Sequence, residues 1–112
     1  MNFSDVKWSP SEKKVARSAF DAALEQALAK VMAEFKRKAD AATTPSEMWE
    51  IEDYLRQQRK EVDETFDYRY SQLLFVFAHL IRQGYLDENR LAGLSEDKRE
   101  IIRSFLALAA KS

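Results

Sequence analysis

"TTPSEMWEIEDYLRQQR", Thr43 to Arg59, opens with a helix start and continues with a question about burial. A capping hydroxyl at Thr44, proline at the first helical position and Glu47 two residues further on form a helix N-terminus, and Ser9, Pro10, Ser11 and Glu12 repeat the pattern. Two such starts, in a chain with only two glycines and two prolines, predict two long helices with "KADAATTPS" as the turn between them. At roughly 100° per residue, Met48, Ile51, Leu55, Val62 and Phe66 share one stripe of the second helix. Trp49 points about 120° away from that stripe, in line with Asp53, Arg56 and Lys60. Either this helix buries two faces or Trp49 meets something outside its own chain.

The first helix is expected from Pro10 to about Ala41, with Phe20, Leu24, Ala27, Leu28, Val31 and Phe35 on one drifting apolar stripe. A helix of that length spans about 45 Å. It is too long to bury its stripe on a compact monomer, so an antiparallel hairpin with the second helix, or a dimer, is expected. No Gly or Pro interrupts the second helix before Gly84, which exceeds the usual length of a globular helix. A break is therefore expected near Asp63 to Asp67, with Thr65 or Asp63 as the cap of a new start.

Beyond that break "FDYRYSQLLFVFAHLIRQGYL" is apolar on all sides from Leu73 to Ile81, as in a helix central to a packed unit. Gly84 reads as its C-terminal cap. A short helix from Asp87 to a stop at Gly93 follows, and then a last helix capped by Ser95 and carrying Ile101, Ile102, Phe105 and Leu108. Nothing reads as a strand. The expected architecture is all-α over residues 1–112, an elongated two-helix stalk at 10–64 for dimerisation and a small helical head at 65–112 for partner binding.

Composition narrows the function. Eighteen basic and nineteen acidic side chains leave a formal net charge of −1, so there is no field of one sign to draw nucleic acid or an anionic membrane. The absence of cysteine excludes disulfides, thiolate catalysis and Cys-based zinc sites. The longest apolar run, Leu73 to Ile81, falls well short of the roughly twenty residues that span a bilayer. The start shows neither the basic end nor the apolar run of a signal peptide, and a soluble cytoplasmic protein is expected.

Candidate chemistry is sparse. Neither a dinucleotide-binding nor a phosphate-loop glycine pattern occurs, and no small-molecule substrate or cofactor is expected. His79, the single histidine, has no second His or Cys near it in sequence and reads as a core or partly exposed residue rather than a ligand. The pairs Glu50 and Asp53, or Glu61 and Glu64, have helical spacing, but the Glu-x-x-His of helical di-metal sites is missing, so a solvated face is the better reading and no metal is expected. "GLSEDKREII" has the outline of a helix-turn-helix reader, with Arg99 and Arg103 as candidate DNA contacts, yet it opens with carboxylates where phosphates would lie. No catalytic residue is expected. The Trp49 stripe stands apart: an aromatic anchor, a carboxylate at Asp53 and the fork donors of Arg56 and Arg59 have the make-up of an interface hot spot.

"MWEIEDYLRQQRKEVDETFDYRYSQLLFVFAHLIRQGYLDENRLAGLSEDK", Met48 to Lys98, resembles the fluorescence recovery protein family, with a weaker echo at "WSPSE", Trp8 to Glu12. The runs "DYRYS", "FVFA" and "GLSEDK" carry the resemblance together. It implies an elongated antiparallel homodimer and a non-enzymatic regulator of photoprotection. It further implies binding to the photoactivated orange carotenoid protein, or a homologue of one of its domains, with faster red-to-orange return and release from the phycobilisome. By the same resemblance Trp49, Asp53 and Arg59 belong to the dimer seam and Phe75 and Lys98 to the partner-binding head. Two positions depart from the cyanobacterial pattern: Glu52 and Lys60 stand where His is common, and Glu52 adds a negative charge beside Asp53. The alternatives are a dimeric helical adaptor of this fold with another protein partner, and a DNA-binding regulator.

Overall fold

The computed structural model describes residue 3 and residues 5–111; Met1, Asn2, Ser4 and Ser112 lie outside the described residues. It is all-helical: α1 Pro10–Ala41, α2 Pro45–Thr65, α3 Leu73–Arg82, a 3-10 turn Glu88–Leu91, and α4 Glu96–Lys111. The molecule is elongated, 53 × 31 × 23 Å. α1 and α2 form the expected hairpin, while α3 and α4 pack together beside the first half of α1.

Both repeated starts are helix caps, but they are built differently. Ser9 accepts from the Glu12 backbone N–H and the Glu12 carboxylate accepts from the Ser9 backbone N–H, a complete reciprocal box. At the second start Thr44 accepts from the Glu47 N–H, whereas the Glu47 carboxylate takes the hydroxyls of Thr43 and Thr44 in place of the cap backbone. The two threonines compete successfully because their hydroxyls lie on the same turn as the carboxylate.

α2 ends where a break was expected, at Thr65, and Phe66 leaves helical geometry without any glycine or proline. Neither Thr65 nor Asp63 caps the next helix: α3 starts after Gln72, with no side-chain cap. The intervening segment is fixed by aromatic contacts. Phe66 and Tyr68 both stand edge-on to Phe20 of α1, with centroids 5.4 and 4.8 Å away. Gly84 ends α3 with φ +81°, and the bonds from Gly84 N–H to Ile81 O and from Tyr85 N–H to Leu80 O complete a Schellman motif. The short helix expected from Asp87 to Gly93 is a single 3-10 turn, capped by Asp87 through the Asn89 N–H.

The core lies at one end of the molecule. α3 contributes the long side chains, Leu73, Leu74, Phe77 and Leu80, joined by Leu86, Leu91, Leu94 and Ile102. α1 contributes Ala16, Ala19, Phe20 and Ala23 to the same cluster. The apolar stripe expected on α1 is only partly buried: Phe20 and Ala27 are inside, Leu24 and Val31 are half-buried, and Leu28 and Phe35 are exposed. Beyond Lys30, which lies over the Tyr85 ring, the far end of α1 runs past the core with α2 alongside it. α2 in turn buries none of its residues. Of the expected stripe Ile51, Leu55 and Val62 are half-buried, together with Tyr54 and Gln58, whereas Met48, expected to turn toward the hairpin, is 51% exposed.

Candidate functional site

Three features of the folded chain are available for function, and the first is a buried ion pair. Lys98, in the first turn of α4, places Nζ 3.1 and 3.2 Å from the two carboxylate oxygens of Glu12 in the first turn of α1. The same ammonium donates to the carbonyl of Lys7 at 2.6 Å and lies 5.0 Å from the centre of the Trp8 ring. Only 6% of Lys98 is exposed, so its three N–H donors have three acceptor oxygens within the chain. Glu12 also accepts from the Ser95 backbone N–H at 2.9 Å, just before α4. Burial works against its charge. The hydrogen bonds from Ser9, Ser95 and Lys98, together with the charge of Lys98, outweigh it and bring the Glu12 pKa to about 2.

The second feature is an aromatic surface at the junction of α3 and α4. Phe75 is 56% exposed although α3 is otherwise the most buried helix. Its ring stands edge-on to Phe105 of α4 at 5.3 Å, and Phe105 is also edge-on to Phe3 at 5.8 Å. Phe75, Phe105, Leu108, Ala78, His79 and Arg82 line an open cleft of about 430 Å³. Burial, and then the charge of Arg82, holds the His79 imidazole below its ordinary pKa, which favours the neutral form.

The third feature is the hairpin. Trp49 is 61% exposed and, at 100° per residue, lies on the side of α2 opposite the Ile51, Tyr54 and Gln58 face that meets α1. Leu28, Met32 and Phe35 of α1 are exposed as well. Asp53 and Arg59 have no ion-pair partner among the described residues. Arg56 does have one, and it is Glu52 rather than Asp53. That i,i+4 pair is the local consequence of having glutamate at position 52.

Between these regions, cations line the aromatic segment that follows α2. Arg17 lies 4.6 Å from the Tyr68 ring centre, Lys13 5.4 Å from Tyr70, and the Tyr70 ring leans against Trp8 at 5.5 Å with the planes tilted by 47°. The aromatic residues Phe66, Tyr68 and Tyr70 are thus pinned along α1. The two arginines considered for DNA are otherwise placed. Arg103 pairs with Glu88 and Glu96, and Arg99 is half-buried. No cluster of metal-ligating side chains occurs among the described residues, and no helix of them is long and apolar enough to cross a membrane.

The sequence pattern sets Trp49 off the apolar stripe of α2, and it is exposed. Phe75, exposed too, lies by pattern in a helix apolar on all sides and is marked for contact by the family resemblance alone, and the pattern gives Lys98 without its partner. Glu12 it noted only as a cap. The alanines at 16, 19 and 23 were passed over in favour of larger residues. Their spacing of three and four was the available signal for the buried side of α1.

A small all-helical chain with a long hairpin at one end and a four-segment core at the other defines the class of structure. Within that class the sequence pattern described as "Photoprotection regulator fluorescence recovery protein" matches residues 8–106. The chain belongs to this family, a family of photoprotection regulators. It is 30% identical over 105 residues, 94% of its own length and 96% of the relative's, to the fluorescence recovery protein of Synechocystis sp. PCC 6803. Among solved structures it is similar to the Fremyella diplosiphon fluorescence recovery protein, with a TM-score of 0.83 and 37% identity over 90% of this chain and 98% of that one. For the Synechocystis structure the TM-score is 0.84, the identity 32%, and the coverage the same 90% and 98%.

Proposed function

We propose that the chain is a non-enzymatic regulatory protein that works as a homodimer. In this reading it binds the photoactivated orange carotenoid protein through its head, residues 65–112, and speeds the return of that partner to the resting orange form and its release from the phycobilisome. Membership of the photoprotection family supports the role, and the exposed Phe75 against Phe105 and Leu108 is the observation that carries the docking surface. Acceleration of this kind involves no covalent step. The protein binds one conformation of its partner better than another and stabilises the barrier between them as well.

Support for the dimer comes from the hairpin, residues 10–64 taken as a stalk. A helix that only half-buries one face against α1, has no fully buried residue and exposes a tryptophan has less packing within its own chain than a helix of this length normally needs. A second copy laid antiparallel supplies it, with Trp49, Asp53, Arg56 and Arg59 in the seam and Leu28, Met32 and Phe35 beside it. In that arrangement Glu52 competes with Asp53 for arginine, since it already holds Arg56.

The deciding experiment follows the colour of the photoactivated orange carotenoid protein in the dark, with and without this protein. Faster red-to-orange conversion and a complex on size exclusion are expected. Neither effect would remove this partner and leave the adaptor reading, a dimer of the same fold with a different protein on the Phe75 surface.

A further inference from the structure

We infer that Glu12 is a positioning residue for the docking surface of the head, and that Lys98 acts through Glu12 rather than by placing its own ammonium on a partner. The inference rests on the reading above that the head docks through Phe75.

The geometry leaves Lys98 little else to do. Its ammonium is met by both oxygens of Glu12 and by the Lys7 carbonyl, and its stem is covered. To reach a partner it would have to break all three contacts and strand the Glu12 carboxylate, which is buried and held ionised. Glu12, meanwhile, joins the starts of two helices: the Ser9 N–H before α1, and the Ser95 N–H and Lys98 ammonium at the start of α4.

A path runs from this junction to the surface. α4 is continuous from Lys98 to Phe105, about 10 Å of helix. Phe105 is the ring against which Phe75 stands, and Leu108 is one turn further along. Next to the junction Gly93 lies so close to Val15 that an added Cβ would sit 2.6 Å from its Cγ2, so the loop entering α4 has no slack on that side. The start of α4 is thereby held at two neighbouring points on α1, and the helix carries that placement to the aromatic cleft.

The test uses full-length protein and photoactivated orange carotenoid protein as the probe, with three variants: Glu12→Gln, Lys98→Met, and the two combined. Affinity is measured at a temperature where each variant keeps the helical circular dichroism of the parent. Glu12→Gln leaves Lys98 present but charged and unpaired; at least a tenfold loss of affinity is expected, with a fall in Tm of roughly 10 °C or more. Lys98→Met is expected to lose as much. The combined variant removes both charges, keeps an amide oxygen for the Ser9 or Ser95 N–H, and lays a thioether over Trp8. Affinity within threefold of the parent is expected for it, although it has no Lys98.

Full affinity in Glu12→Gln, or a combined variant as weak as Lys98→Met, would mean that the ammonium itself meets the partner and would overturn the inference. If the parent protein forms no complex, the carotenoid reading fails separately. Amide hydrogen exchange then decides between the alternatives: exchange along 99–105 faster in both single variants and restored in the combined one supports the positioning role, and exchange unchanged in Glu12→Gln overturns it.

Discussion

Glu12 reads in the sequence as a helix-capping carboxylate next to lysines, yet it is buried and holds partners from the starts of both α1 and α4. Its folded pKa of about 2 lies below its ordinary 4.5. A depressed carboxylate contributes stability that is present above the unfolded value and is lost as pH falls through the folded one. Unfolding free energy is therefore expected to drop between about pH 4.5 and pH 2, by an amount on the order of 3 kcal/mol, and Glu12→Gln should flatten that part of the curve in urea titrations at successive pH. An acid limb identical in the variant would assign the loss to other groups. The two glycines separate two kinds of cost. Gly93→Ala is expected to destabilise by about 1–3 kcal/mol through its clash with Val15, and Val15→Ala should recover part of it. Gly84→Ala meets nothing within 4 Å but inherits φ +81°, for about 1 kcal/mol that no second-site truncation relieves. Denaturant midpoints of the four proteins check both statements. None of the pairing around Lys98 could be read from the sequence, because Glu12 lies 86 positions away and local patterns do not encode which distant charge a buried lysine will find.

Among elements, legibility followed how local the cause was. The caps at Ser9 and Thr44, the hairpin turn and the Gly84 stop depend on side chains within a few residues, and the structure has them all. The end of α2 depends on Phe66 and Tyr68 reaching Phe20, a contact between remote segments; the break was placed from helix length alone, and its proposed caps were not the cause. The buried side of α1 was legible only in part: Phe20 and Ala27 of the apolar stripe are inside, but Leu28 and Phe35 are exposed and the core takes the alanines at 16, 19 and 23 instead. In the proposed dimer α2 is the element whose stability depends most on the second copy, because none of its residues is fully buried within the chain. Trp49→Leu or Arg59→Leu is expected to shift the protein toward monomer, since each removes one side of a contact that leaves the other unpaired. Light scattering behind size exclusion measures this, and dimers of unchanged mass in both variants would move the seam elsewhere on the hairpin.

For the whole molecule, dimerisation predicts a stability that depends on concentration. The Tm of the parent protein is expected to fall on dilution, while that of Trp49→Leu should already be low and constant. Calorimetry over a hundredfold range of concentration distinguishes this from a stable monomer, whose Tm would not move. Phe75→Ala makes the complementary statement for the other end. It exposes no new core and should leave Tm within a few degrees while abolishing complex formation, so a large fall in Tm would show that the ring is structural.

The positions of the two tryptophans also give the protein a built-in optical readout. Trp8 is half-buried beneath a lysine ammonium and against a tyrosine ring, at the end that contains the core. Trp49 stands in solvent on the hairpin. Emission from the first is expected to be blue-shifted and quenched by its cation, and emission from the second red-shifted until a neighbour covers it. One fluorescence spectrum thus reports both ends of the molecule in separate bands: assembly by a blue shift of the Trp49 component, and opening of the Glu12 junction by a gain of intensity from Trp8.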